Sequence, residues 1–284
     1  QTSFDAFLLA PEERPIMHSP YQTPTLSRRI FLKRFGTASL GLLAIEKLLA
    51  DPYAFALPSL AIRTSPIRIK GAVKSAGKGI KGVAVSDGFA VVGTKADGTF
   101  ELVSSGNQPF AFLSLPSGYE IPMNPTGTAL FYKPVAQDGD TMNVRWDLIK
   151  LKASDEEHGL LLLADPQTLD TDDMQRFHNE TVPDIQSVLK SIETKSLFAV
   201  GCGDIMYDKL QLFPEYEAGV KKMSIPSFQV LGNHDVETLA QTDEAAAATF
   251  MRYFGPTYYS FKKGEVHYVV LDDVFWHGKD YIGY

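Results

Sequence analysis

The sequence is nearly without cysteine: Cys202 is the only one in 284 residues. A single thiol excludes an intrachain disulfide and any thiolate metal cluster. Set within an apolar run, Cys202 reads as a small core residue. No stretch approaches the roughly 18–20 consecutive apolar residues of a membrane-spanning helix, so a stable membrane anchor is not expected. Positive charge is not in excess either. The 27 Lys and Arg stand against 34 Asp and Glu, a formal charge of −7, which argues against a general surface for duplex nucleic acid. The hydrophobic content of 44% suffices for a real core, and the length allows two domains.

Three apolar runs, residues 160–164, 197–202 and 228–231, are short and rich in Leu, Val and Phe. Segments of helical periodicity separate them, the pattern of βαβ units whose parallel strands are buried on both faces. Each run ends in a polar tip: Asp165-Pro166-Gln167, Gly203-Asp204 and Gly232-Asn233-His234-Asp235. Right-handed crossovers place all three tips on one sheet edge, and open sheets of this kind bind ligands at the carboxyl ends of their strands. Hard oxygen ligands and one imidazole delivered to one crevice point to a metal-dependent hydrolase. Taken singly, each tip reads as a turn or a helix cap; the three in order carry the reading.

Between the tips, Ile185, Val188, Leu189 and Ile192 share a helix face, with Pro183 in its first turn and Thr181 as N-cap. Phe213, Tyr216, Val220 and Met223 mark a second helix, and an Ala-rich stretch, 243–254, marks a third, stopped by Gly255-Pro256. Residues 258–261 and 266–271 read as two further strands. Asp208 is open between a helix cap and a supporting partner of the site. Asp272 and Asp273 read as structural, and His158, His178, His267 and His277 as surface or packing residues.

Upstream, from Ile67 to Leu151, the periodicity is that of short strands with turn dipeptides such as Asp87-Gly88 and Asp97-Gly98 about every ten residues. This predicts a small antiparallel sandwich. Tyr119, Phe131, Tyr132 and Trp146 are open between core positions and a glycan-binding face. Residues 79–88 with Asp97-Gly98-Thr99-Phe100 resemble the transthyretin-like or carboxypeptidase-regulatory-like β-sandwich. Further upstream, Ser27-Arg28-Arg29-Ile30-Phe31-Leu32-Lys33, the apolar stretch 35–50 and Ala54-Phe55-Ala56 resemble a twin-arginine export signal. The other reading of that stretch is an amphipathic surface helix. Export implies a periplasmic or cell-surface location and the twin-arginine machinery as a partner.

The three tips resemble the first signature blocks of the calcineurin-like metallophosphoesterases: Asp-x-His, Gly-Asp-x-x-Asp and Gly-Asn-His-Asp/Glu. Gly232-Asn233-His234-Asp235 matches without change. Gly203-Asp204 matches, with the next carboxylate, Asp208, one residue late. Gln167 stands where the common form has His, as in an Asp-Pro-Gln subset. The resemblance covers residues 159–284 and implies a phosphoesterase acting on a phosphomonoester or phosphodiester, which the export leader would send out of the cytoplasm. It makes Asp165 and Gln167 ligands of one metal, Asp204 a bridge between two, and Asn233 a ligand of the second. It places His234 against the phosphoryl oxygens or leaving group, with Asp235 holding that imidazole. Two divalent ions are implied for the whole protein, drawn from Mn, Fe, Mg and Zn. An amide at Gln167 favours the harder Mn or Fe. The family's two further blocks, a lone His and Gly-His-x-His, are missing from the sequence, which suggests a part of a longer chain. The expected fold is α/β, a partial metallophosphoesterase β-sheet sandwich flanked by helices (159–284). A small all-β sandwich (66–151) and a linker (152–158) precede it, and 1–56 is the leader. A second reading is an envelope or glycan-binding scaffold with a degenerate phosphoesterase half.

Overall fold

A computed structural model describes residues 65–283 except 107, 137, 195 and 280; the export-signal reading falls outside them. Eight strands come first: β1 (Ile67–Ser75), β2 (Lys78–Gly79), β3 (Ala84–Ser86), β4 (Val91–Gly93), β5 (Thr99–Ser104), β6 (Phe110–Leu113), β7 (Tyr132–Pro134) and β8 (Thr141–Asp147). They form two four-stranded sheets. In one, β1 pairs parallel with β8 and antiparallel with β5 and β2. In the other the order is β4-β3-β6-β7. Burial alternates along β5 and β8, as side chains of period two require. Ile67, Ile69 and Leu102 from one sheet and Val85, Phe110 and Leu113 from the other enter one apolar cluster. Phe131, Tyr132 and Trp146, open at first to a glycan-binding role, are 2%, 8% and 4% exposed and belong to that cluster. They are core.

The second half contains β9 (Gly159–Leu163), β10 (Leu197–Gly201) and β11 (Ser227–Gln229). All pair parallel in the order β11-β10-β9. The β9–β10 crossover is a long helix, not the single short one that Thr181 and Pro183 suggested. It starts at α1 (Thr171–Arg176), capped by the Asp170 carboxylate, which accepts the Asp172 and Asp173 amides. It then passes through a π-helical turn (Phe177–Thr181) into α2 (Val182–Ser191). Thr181 is therefore an interior residue with helical φ, not a cap. The wider turn brings Phe177 onto Tyr216, with ring centroids 5.3 Å apart. The β10–β11 crossover is a short 3₁₀ turn (Leu210–Leu212) and α3 (Phe213–Met223), which buries Phe213, Tyr216, Val220 and Met223. Next come α4 (Asp243–Ala246) and α5 (Ala248–Phe254), ended at Gly255 with φ 88°. The strands β12 (Tyr259–Lys263) and β13 (Val266–Val270) form a hairpin, and β14 (Val274–Trp276) pairs with β15 (Tyr281–Gly283). This mixture of helices and sheets is compatible with an α/β fold.

The apolar core does not stop at residue 151. Phe198 of β10, Phe228 of β11, and Tyr259 and Phe261 of β12 join the cluster of the first eight strands. Phe228 and Phe261 stack with centroids 4.0 Å apart, and Phe131 lies 4.5 Å from Tyr259. Each such pair adds about 1 kcal/mol beyond simple burial. Backbone bonds stitch the same seam. The Ala129 amide donates to Ser227 O at 2.8 Å, the Ser227 amide to Gly127 O at 3.1 Å, and the Lys262 amide to Leu115 O at 2.8 Å. The linker is equally tied down. Asp155, 4% exposed, faces Lys263, 3% exposed, at 3.5 Å and accepts from Ser117 Oγ and the Gly118 amide.

Two expectations about burial change. Leu160 and Leu162 are 38% and 60% exposed, because β9 is an edge strand and one of its faces borders an open groove shared with Val269 and Leu271. Cys202 lies just past the end of β10 and is exposed, not a core residue.

Candidate functional site

The three polar tips meet through hydrogen bonds between loops. The Gln167 amide donates to Asp204 O at 2.8 Å, the Thr168 amide to Ile205 O at 3.2 Å, and the Tyr207 amide to Thr168 O at 3.0 Å. The first and second tips thus run together beyond the ends of β9 and β10. The third tip closes on the second so tightly that Gly232 is required. A Cβ there would run into the backbone nitrogen and Oδ1 of Asp204.

Asp204 is the hub. Its Oδ1 accepts the His234 backbone amide at 3.1 Å, and its Oδ2 accepts the Gln167 side-chain amide at 3.2 Å. Among the described residues, the side chains of Asp165 and Asn233 form no hydrogen bond, which leaves their oxygen lone pairs uncommitted. Of the six non-glycine residues with positive φ among the described residues, four are Asp165 (54°), Gln167 (42°), Asp204 (44°) and Asp208 (57°). Such left-handed backbone costs on the order of 1–3 kcal/mol per residue and concentrates where function requires it.

Asp235 does not hold the imidazole. Its carboxylate is fully buried and accepts three backbone amides: Ile205 at 3.1 Å, Met206 at 2.9 Å and Gly232 at 3.0 Å. It clamps the second and third tips together from beneath. Burial pushes its pKa up to about 7, against the pull of those three amides. The carboxylate on the imidazole is that of Asp208, whose Oδ1 lies 3.0 Å from His234 Nδ1. The Asp208 amide also donates to His234 O at 3.1 Å, so the two residues meet twice. Asp208 is therefore the supporting partner of the site; the N-cap of the 3₁₀ turn is Lys209, without a side-chain bond.

Nothing in the sequence around Tyr207 marks it. Its ring stacks on the His234 imidazole, and an exposed aromatic after a motif carries no sequence signal of such a contact. A cleft of about 470 Å³ opens beside Gln167, lined among others by Pro166, Asp173, Arg176 and Phe177.

Carboxylates, amides and an imidazole thus gather at the carboxyl ends of parallel strands, the edge at which open sheets of this kind bind ligands. Residues 67–151, the strands preceding this site, match the family described as the N terminal of calcineurin-like phosphoesterase. That match supports a calcineurin-like phosphoesterase, and so a hydrolase of phosphoester bonds. No curated protein matches the chain.

Proposed function

We propose that this protein is an exported phosphoesterase that cleaves a phosphomonoester or phosphodiester with the help of a divalent cation. The arrangement around Asp204 carries the reading: one carboxylate joins the Gln167 amide to the His234 backbone, while the His234 imidazole rests on Asp208.

The donor set fits one hard cation. Asp165 and Asp204 offer carboxylates and Asn233 an amide oxygen. Turning the Gln167 amide about presents its oxygen in place of the nitrogen now facing Asp204. Oxygen donors of this kind suit manganese, magnesium or iron better than zinc. Among the described residues no three His, Cys, Asp or Glu side chains cluster to hold a metal, so a second ion would need further ligands. When bound, such a cation supplies a Lewis acid that neutralises charge on the phosphoryl oxygens and lowers the pKa of a water.

The chain's own residues supply the rest. With Nδ1 engaged by Asp208, His234 has Nε2 free to face a phosphoryl oxygen or to give a proton to the departing alkoxide. The Asp208 carboxylate accepts the Nδ1 hydrogen, so it is the imidazolium form, protonated on both ring nitrogens, that has a hydrogen on Nε2 to give. The cleft beside Gln167 gives the alcohol portion of the ester a place to lie.

The first eight strands serve in this reading as a transthyretin-like β-sandwich that braces β11, and hence Asn233 and His234. The Ser27–Lys33 segment directs export to the periplasm or cell surface. The amide at Gln167 puts the protein in the Asp-Pro-Gln subset. Hydrolysis of p-nitrophenyl phosphate and bis-p-nitrophenyl phosphate, with Mn²⁺ and then Zn²⁺, tests the proposal. Mn²⁺-dependent turnover lost in Asp204→Asn and His234→Ala is the expected result. Turnover indifferent to metal or to both substitutions would sink it. Cell fractionation of an Arg28→Lys, Arg29→Lys double variant tests the route of export.

A further inference from the structure

The ring of Tyr207 lies flat against the imidazole of His234, with centroids 4.3 Å apart and planes inclined by 19°. Burial does not put it there, since Tyr207 is 43% exposed. Nor does its hydroxyl, which has no hydrogen-bond partner among the described residues. The backbone does. The Tyr207 amide is held by Thr168 O at 3.0 Å, and the next residue, Asp208, has φ 57° and donates its amide to His234 O at 3.1 Å. The loop is thus pinned on both sides of the ring and lays it on the imidazole.

A single hydrogen bond at Nδ1 places one restraint on the two side-chain torsions that aim the ring. The imidazole can still rock about that contact, and Nε2, on the far side of the ring, then swings furthest. An aromatic face at stacking distance removes this freedom, because tilting the imidazole drives one edge into the ring. We propose that Tyr207 is a positioning residue that sets the plane of the His234 imidazole, so that Asp208 fixes the anchor point and Tyr207 fixes where Nε2 aims. This role rests on the reading of His234 as the group that meets the phosphoester. It requires an aromatic face and not a hydroxyl.

The test uses Tyr207→Leu and Tyr207→Phe with two readouts. The first is the NMR position of the His234 ring protons in metal-free protein, identified by their loss in His234→Ala. The wild type and Tyr207→Phe should show the upfield displacement of a proton above an aromatic face, and Tyr207→Leu should lose it. The second is Mn²⁺-supported hydrolysis of bis-p-nitrophenyl phosphate. In Tyr207→Leu, kcat should fall on the order of tenfold to a hundredfold, the usual cost of small misplacement. KM should stay unchanged, and Tyr207→Phe should restore the rate. Ring signals identical in wild type and Tyr207→Leu overturn the proposal, as does a Tyr207→Leu enzyme with undiminished kcat. A loss confined to KM also overturns it, making Tyr207 a surface that the substrate lies on. If the wild type shows the ring displacement but no metal-dependent hydrolysis, the phosphoesterase reading falls and takes this role with it. A changed ring signal with unaltered hydrolysis removes this role alone.

Discussion

Nδ1 of His234 stands 3.0 Å from Oδ1 of Asp208, and the backbone of Asp208 is bonded to the carbonyl of the same histidine. The Asp208 side chain is 41% exposed, so the pair adds little to stability and its value lies in orientation. Asp208→Ala should lower kcat about tenfold to a hundredfold while KM and the urea midpoint stay close to wild type. Steady-state kinetics beside an unfolding curve checks this. An equal loss of stability would mean that the carboxylate serves the fold.

Asp235 should behave in the opposite way. Removing its carboxylate strands the amides of Ile205, Met206 and Gly232 in a buried setting. At about 1–3 kcal/mol for each unpaired group, Asp235→Ala should cost roughly 3 kcal/mol or more. Asp235→Asn, which keeps one acceptor oxygen, should cost less. Urea denaturation of both decides it. A stable Asp235→Ala protein with a purely catalytic defect would contradict the clamp.

Glu217, on α3, is 9% exposed. Burial raises its pKa from 4.5 to about 7 in the folded state, and only its bond to Thr126 works against that. Between those values the folded protein keeps a proton that the unfolded chain has lost. The contribution of Glu217 to stability is therefore fully present below about pH 4.5 and is lost as pH rises through about 7. The decline amounts to roughly 3 kcal/mol for this group. Glu217→Gln should flatten the slope of stability against pH. It should not abolish it, since Asp235 titrates in the same window. An unchanged slope in denaturation curves across that range counts against this assignment.

Phe131 is 2% exposed and packs against Tyr132, Phe228 and Tyr259. Phe131→Ala should cost about 3–5 kcal/mol, and the loss should spread to both halves. Calorimetry should show one transition in the wild type and one, at lower temperature, in the variant. Two separable transitions in either protein would mean that the halves fold independently.

The parts of the site that were legible from sequence are those where chemistry and turn geometry coincide. Gly203 and Gly232 mark where the backbone must turn or come close, and the acids and amides beside them mark the strand ends. Adjacency to His234 suggests a partnership for Asp235, whereas the tight turn sends the two side chains to different neighbours. Asp208 and Tyr207 depend on a loop conformation with left-handed residues that no residue type demands. The long crossover helix was cut short because Pro183 looks like a start, while Asp170 and the π turn that lets the helix run through leave no periodic trace. An apolar run such as β9 shows that a strand forms, not how many of its faces find cover. The twin-arginine stretch lies outside the described residues, so no feature of the structure bears on it.

The aromatic seam between the first eight strands and the second half also limits how the protein can be rearranged. A graft or fusion joint near residue 151 would separate Phe131 from Phe228 and Tyr259, and a chimaera made there would inherit two mismatched surfaces. Insertions belong at the tip of the β1–β2 hairpin, at Gly77, where an added Cβ meets nothing within 4 Å. A reporter placed at that tip would leave the seam, and the loops it braces, undisturbed.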